Sequence, residues 1–382
     1  MAFLVNKDQN QQQTSGAKIP DVAEFGKDRF SLEQHLQRNL NNALDINGES
    51  SYSNSFIIKV ASNDSGFFFL PVLPVSFALD STLYFRIFAI ASGVIYPFKT
   101  LLSQNNAYFV EYDKTNPNLA RAFFFPWLDG IPTRLKINNL DEFIRNNVTI
   151  ECIPIMQNVH INPASEIHIA ISGSSGSGKD FLAKYLLKCL HFLKCKLVII
   201  DPKVADLYLL GKELGVEVHA PSFGDNFNGF LTTTNEVLSK ILNLVYRRQE
   251  VLLETPNKTF TPIYVCINEL LSLNQLASKQ AREAFAQLLS SISLLGRATS
   301  VKLILISQRF DATSLGGLTA TREQISCTFL LGEINNNTTQ YLFPNQNLDN
   351  IVVPIGLGTG IIKFTGENNA KYTMPLLTPS YN

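Results

Sequence analysis

"AISGSSGSGKDFLAKYLL" (170–187) decides how the rest of the chain is read. Inside it, Gly173-Ser174-Ser175-Gly176-Ser177-Gly178-Lys179 fits the pattern G-x-x-x-x-G-K. The apolar run "IHIAIS" (167–172) leads in, and Phe181, Leu182, Tyr185, Leu186 and Cys189 recur at helical spacing behind it. A buried strand, a glycine-rich loop and a helix in that order form the setting of a phosphate-binding loop. Glycines let backbone N–H groups converge on phosphate oxygens. The helix start adds partial positive charge, and a lysine in the position of Lys179 reaches the β- and γ-phosphates. Gly173 to Lys179, with Asp180 and Phe181 behind them, are therefore the candidate nucleotide-binding residues. Asp180 stands where such a loop normally carries Ser or Thr.

A phosphate loop needs a second element, an apolar strand that ends in acid. "YVCINEL" (264–270) supplies it with Asn268 and Glu269. The first of these positions is usually an Asp that helps to hold Mg²⁺, and a Glu at the second polarises the attacking water. Here the carboxylate has left the strand, at Asn268, and a carboxylate has appeared in the loop, at Asp180. The two departures are opposite in charge, so the formal charge near a metal is conserved. Mg²⁺ takes oxygen ligands and usually one or two carboxylates. Asp180 and Asn268 are thus read as an exchanged pair of metal ligands, with Lys179 and Glu269 kept as catalytic groups. The rival reading is a site in which Asp180 repels phosphate.

Strand-like apolar runs recur at "KLVIID" (196–201), "IYVCIN" (263–268), "KLILIS" (302–307) and "CTFLLG" (327–332), with helical stretches at 179–193, 234–254 and 276–295 between them. Nearly continuous apolar strands alternating with helices imply a mainly parallel sheet covered on both faces. The expected fold class is α/β, a RecA-like P-loop domain over 164–382. Its end, "GTGIIKFTGENNAKYTMPL", reads as a hairpin turning around Gly366–Asn369.

The chain ahead of that domain is different. Residues 1–27 are Gln-, Asn- and Lys-rich, "SLEQHLQRNLNNAL" (31–44) reads as a helix capped by Ser31 with Gln34, and 47–55 reads as a linker. The expected division is a polar tail plus short helix over 1–50, then a small β-rich or α+β domain over 51–163. Phe123, Phe124, Phe125 and Trp127 in it are either a base-stacking platform or plain core.

Composition narrows the function classes. The 382 residues are 45% hydrophobic and 17% charged, with formal net charge zero. Such a chain does not coat nucleic acid by bulk charge, although a basic channel assembled from several subunits remains open. The 5 cysteines have no metal-ligand spacing and read as reduced, buried thiols; the 5 histidines form no cluster, so no zinc site is expected. No secretory leader is read at the start. The most apolar stretch, Phe67–Phe98, is interrupted by Pro71, Pro74, Asp80 and Arg86, so no membrane span is expected.

The segments "LVIIDPKVADL" (197–207), "LVYRRQEVL" (244–252), "YVCINEL" (264–270) and "LLGRATSVKLILISQRF" (294–310) stand in an order that resembles the FtsK/SpoIIIE family, within the FtsK–HerA group of hexameric ATPases. The form of the DPK and GR…QR segments is similar to FtsK-like proteins of Gram-positive conjugative and mobile elements. The resemblance covers about 165–382. It implies ATP and Mg²⁺ as cofactors, double-stranded DNA as substrate, and a ring, expected as a hexamer. It also implies a cytoplasmic setting, with membrane association supplied only by a partner, and a relaxase or other transfer or replication protein as partner. By the same resemblance Gln308 senses the γ-phosphate, and Arg297 or Arg309 acts on a neighbour's nucleotide. The sequence alone supports Gln308, a polar residue at the carboxyl end of a core strand, and does not choose between the arginines. Asp201 and Lys203 end another strand, where they can contact the site or the DNA path, or Asp201 can cap a helix. "FDATSLGGLTATREQ" (310–324) is either a pore-facing loop carrying Arg322 or an ordinary one. The departures from the family are Asp180, Asn268, Phe310 in place of a Pro, and no membrane anchor or terminal DNA-reading domain.

Overall fold

The computed structural model describes residues 29–44, 55–73, 78–105, 107, 109–222, 227–275, 277–344, 346, 348, 353, 356–366 and 370–382. The expectations for residues 1–27, for all but the end of the 47–55 linker and for the tip of the hairpin at 367–369 lie outside them.

The first part comprises α1 (Arg29–Leu44), β1 (Phe56–Val60), β2 (Gly66–Pro71), α2 (Ser81–Ile95), β3 (Lys99–Leu101), β4 (Ser103–Gln104), β5 (Phe109–Glu111) and β6 (Arg121–Asp129). An antiparallel sheet runs β1-β2-β6-β3, with β5 also paired to β6. Helices α1 and α2 bury Leu36, Leu40, Leu44, Tyr84 and Ile87 with the aromatics of this sheet. Phe123, Phe125 and Trp127 are core, and Phe124 packs on Phe68 with ring centroids 4.9 Å apart. They are not an exposed stacking platform. Helix α1 runs Arg29–Leu44, so its start lies two residues ahead of the cap expected at Ser31.

A connecting stretch follows with β7 (Lys136–Ile137), α3 (Leu140–Asn147), β8 (Ile153–Met156) and β9 (Val159–Ile161). Next come β10 (His168–Gly173), α4 (Lys179–Phe192), β11 (Lys196–Ile200), α5 (Asp206–Glu213), β12 (Glu217–His219), α6 (Phe227–Glu254), β13 (Ile263–Ile267), α7 (Leu270–Gln275), α8 (Lys279–Leu295) and β14 (Val301–Ser307). The chain ends with α9 (Ala320–Glu323), β15 (Ile325–Leu331), α10 (Asn336–Thr339), β16 (Thr359–Thr365), β17 (Lys371–Leu377) and β18 (Ser380–Tyr381).

Nine strands join in the order β12-β11-β13-β14-β10-β15-β16-β17-β4. The first six are parallel, and β16, β17 and β4 run antiparallel to their neighbours. Period-two alternation sends Ile169 and Ile171 to one face with α4 and α5, and Ala170 to the other with α6 and α8. The sheet is thus covered on both faces, as its near-continuous apolar strands require. The RecA-like α/β class is the class observed.

Strand β4 comes from the first part of the chain yet edges the large sheet, and β7 pairs with β18. Ile137, Ile144, Ile155 and Ile161 share one apolar cluster with Leu182 and Tyr185 of α4. The expected boundary at 163 therefore runs through a shared core, whereas the cluster around Trp127 is separate.

Candidate functional site

Parallel strands put the carboxyl ends of β10, β11, β13 and β14 on one edge of the sheet, and the ligand crevice of such sheets lies there. Every residue from the loop, the DPK segment, Asn268-Glu269 and Gln308 follows one of these ends.

The loop leaves β10 at Gly173 and enters α4 at Lys179. Gly176 (φ 76°) and Gly178 (φ 100°) take left-handed backbone. Gly173 has φ 153°, and a Cβ on it would stand 2.5 Å from Leu331 O, so only glycine fits there. Ser174, Ser175 and Gly176 are exposed at the tip. Lys179 turns back and donates through Nζ to Gly173 O (2.8 Å) and Ser174 O (2.9 Å). Burial pushes its pKa down, opposed by Glu269 and Asp180. Asp180 is half-buried, and burial pushes its pKa up, opposed by Lys179 and reinforced by Glu269 and Asp206. The Phe181 ring is stacked on Tyr381 at 3.9 Å between centroids, and Tyr381 donates its hydroxyl to Phe181 O at 2.7 Å.

Asp201 organises the opposite wall. Its Oδ2 accepts from Ala205 N and Tyr208 N, each at 3.1 Å, which ties down the start of α5. Its Oδ1 accepts from Lys203 N (3.2 Å) and Asn268 Nδ2 (3.1 Å). Asp201 is fully engaged and plays the capping role. An ionised carboxylate can only accept, so it is the amide nitrogen of Asn268 that faces Asp201, leaving Asn268 Oδ1 without a partner. Lys203 Nζ meets Glu269 Oε1 at 2.7 Å; the carboxylate is 6% exposed and the lysine 49%. Glu269 (φ 50°) and Val204 (φ 51°), next to Lys203, both hold left-handed backbone, a conformation costly for a β-branched residue. Strain of this kind, about 1–3 kcal/mol per residue, gathers at functional sites.

Five buried polar atoms around this edge have no partner among the described residues: Ser177 Oγ, Asp180 Oδ1, Asn268 Oδ1, Glu269 Oε2 and Ser307 Oγ. Each costs about 1–3 kcal/mol when left alone. An arrangement with a lysine ammonium held on two loop carbonyls, loop N–H groups and several unused oxygens fits a phosphate chain and a divalent cation. Asp180 and Asn268 are the residues that would hold Mg²⁺, whose role when bound is to neutralise phosphate charge.

The other expected residues divide by edge. Gln308 is exposed directly behind β14, and its carbonyl accepts from Ser172 Oγ at 3.4 Å, so it borders the loop strand. Arg309 is exposed beside it. Arg297 is also exposed but precedes β14, at the amino-end edge of the sheet, and is not brought to this chain's own loop. Arg322 donates to Phe310 O at 3.0 Å and lies over Tyr341, and Phe310 and Leu315 are buried. That segment is packed down, and Arg322 is not its free cation. Sequence reasoning missed Arg134, whose Nη2 and Nη1 donate to Leu357 O (2.7 Å) and Thr378 O (2.9 Å) beside the loop. No pattern around it marks it out. Among the described residues no helix is long and apolar enough to cross a membrane.

No family model matches the chain. Over 210 residues, 54% of this chain, it is 21% identical to the FtsK domain-containing protein YdcQ of Bacillus subtilis (strain 168). The match spans 42% of that protein, less than half its length. Among solved structures, the pCW3 conjugation coupling protein TcpA, in its monomer form with ATPγS, superposes with a TM-score of 0.51 at 15% identity. That likeness covers 91% of this chain and 94% of TcpA. EssC (ATPases 2 and 3) from Geobacillus thermodenitrificans gives a TM-score of 0.46 at 14% identity, over 65% of this chain and 48% of that one, and carries no weight here. The chain is thus similar to an FtsK-domain protein over about half of its length, and its loop, DPK segment and strand-end acid stand on a RecA-like P-loop fold shared with the coupling protein TcpA.

Proposed function

We propose that the chain is an ATP-driven motor of a mobile genetic element that acts on double-stranded DNA during transfer or processing. The observation that carries this is the meeting of Lys179, Asp180, Asn268 and Glu269 at one sheet edge, with unpartnered oxygens on three of them. Kinship in form with an FtsK-domain protein and with a conjugation coupling protein that holds ATPγS supports the setting. In this reading Lys179 leaves the carbonyls of Gly173 and Ser174 for the β- and γ-phosphates. Asp180 and Asn268 would hold Mg²⁺, which would neutralise phosphate charge; Glu269 polarises the attacking water, and Gln308 senses the γ-phosphate. Arg297, on the far edge of the sheet, or Arg309, beside Gln308, acts on a neighbour's nucleotide in this reading. A ring, hexameric in this reading, multiplies small basic contributions and reconciles DNA binding with zero net charge. Its setting is the cytoplasm, with a relaxase or another transfer protein as partner.

One observation favours a second reading. Glu269 Oε1 is already engaged by Lys203 at 2.7 Å, a partner that competes with an attacking water for this carboxylate. A nucleotide-binding assembly protein that recruits DNA-processing partners without turnover would have this site. Mg²⁺-dependent ATP hydrolysis with and without double-stranded DNA, beside Lys179→Ala and Glu269→Gln, separates the two. Turnover stimulated by DNA and lost in both variants is the outcome expected of a motor. Nucleotide binding without turnover, indifferent to DNA, assigns the assembly role.

A further inference from the structure

Strand β16 is the first antiparallel strand beside the parallel set, so its leading residues arrive at the same edge as the phosphate loop. Those residues touch the loop. Gly358 N donates to Ser177 O at 3.1 Å, and a Cβ on Gly178 would stand 3.4 Å from Gly358 Cα and 3.8 Å from Leu357 Cδ1. The ledge is held from behind. Thr378 N donates to Gly358 O at 2.8 Å, and Arg134 spans Leu357 O and Thr378 O with one guanidinium. Gly358 has φ 68°, and a Cβ there would meet Thr378 Oγ1 at 2.2 Å, so only glycine fits. Arg134 has no carboxylate within ion-pair distance among the described residues; both of its contacts are to carbonyls. Leu357 is 70% exposed although it stands against the phosphate loop.

The polarity of a bound nucleotide follows from the sheet order. Glu269, Asn268 and Lys203 follow β13 and β11, on one side of β10, and the ledge lies on the other side, beyond β15. The terminal phosphate belongs beside Glu269. The nucleoside end then leaves the loop on the side of Gly178 and Leu357.

We infer that Leu357, on the ledge 356–358, forms an apolar wall for the base and ribose of the bound nucleoside triphosphate, and that Arg134 is the positioning residue that fixes this wall. The inference rests on the nucleotide-site reading above and gives it a second subsite, independent of the phosphates. It also gives the chain ahead of the parallel sheet a part in nucleotide recognition.

Calorimetric binding of ATP and of inorganic tripolyphosphate to the full chain tests this. For Leu357→Ser, which changes an exposed side chain, we expect about tenfold weaker ATP binding and tripolyphosphate binding within about twofold of the unaltered chain. Arg134→Ala should show the same selective loss, and Arg134→Lys, which can reach one carbonyl but not both, an intermediate one. A merely structural role for Arg134 would weaken both ligands together. Unchanged ATP binding in Leu357→Ser, or equal losses for both ligands, overturns the inference while leaving the phosphate site standing. A shift in oligomeric state with unchanged ATP affinity likewise overturns it and assigns Leu357 to a subunit contact. Failure of the unaltered chain to bind either ligand removes the nucleotide-site reading itself, and the inference with it.

Discussion

Lys203 and Glu269, 66 residues apart in the chain, meet at 2.7 Å, each beside or within left-handed backbone. The pair joins the loop after β11 to the loop after β13, and Asp201 stitches the same two loops through Asn268. One partner is buried and the other half-exposed, so the pair is worth more than a surface bridge. A double-mutant cycle with Lys203→Met and Glu269→Gln, read by chemical denaturation, should give a coupling of about 1–2 kcal/mol. Lys203→Met alone should be the costlier single change, because it leaves a buried carboxylate without its ion-pair partner.

The exchanged ligands make a sharper prediction. Asp180→Thr and Asn268→Asp should each lower Mg²⁺-dependent hydrolysis at least about tenfold, and the double variant should recover most of it. A magnesium titration of the three proteins checks this. Full activity in both single variants would dissociate Asp180 and Asn268 from the metal.

Acid stability should depend on His168. Burial holds its pKa down at about 4; its Nδ1 accepts from Leu303 N (3.0 Å), its Nε2 faces Ser293 O (2.9 Å), and Lys302 adds like charge. The unfolded value is about 6.5. Above pH 6.5 both states are neutral at this residue and stability is flat. As pH falls from 6.5 to 4, the unfolded chain takes a proton that the folded chain refuses, so up to about 3 kcal/mol of stability is lost. Glu166, whose pKa burial raises, works in the opposite direction in the unaltered chain and in a His168→Gln variant alike. Thermal melts at pH 7 and pH 5 should therefore show a smaller drop for His168→Gln.

The only tryptophan of the sequence, Trp127, lies in the apolar cluster of α1, α2 and the antiparallel sheet. If that cluster is its own cooperative unit, Trp emission should complete its change at lower denaturant than the second phase of far-UV circular dichroism. ATP with Mg²⁺ should shift only the later phase. Coincident transitions would make the two parts one unit.

What could be seen in the sequence follows from what is local. Strands buried on both faces must be apolar throughout, and a loop that wraps phosphate must be rich in glycine; both properties lie within ten residues of each other around Gly173. Helix α2 was hidden because "STLYFRIFAIASGVI" is apolar almost all round and rich in residues that favour strands. Its one signal was Asp80, whose side chain accepts from Leu83 N at 2.9 Å as the N-cap. Helix α6 begins at Phe227, seven residues before the expected start, through a Gly- and Thr-rich turn. There Thr232 and Thr233 bond back to Asn228 O and Gly229 O, a local satisfaction that composition does not reveal. That the loop, the strand-end acid and Gln308 share one sheet edge was legible in the strand pattern. The Lys203–Glu269 pair and the hold of Arg134 on Leu357 were not, because each joins segments that only the sheet order brings together.

The nine-stranded sheet ends in β12, three residues long, on one side and in β4, two residues long, on the other. Neither border offers the run of free N–H and C=O groups on which another chain could extend the sheet. The nine-stranded sheet is thereby closed to growth by strand addition at its described borders, and a copy approaching it meets helices and loops instead of an open β-ladder.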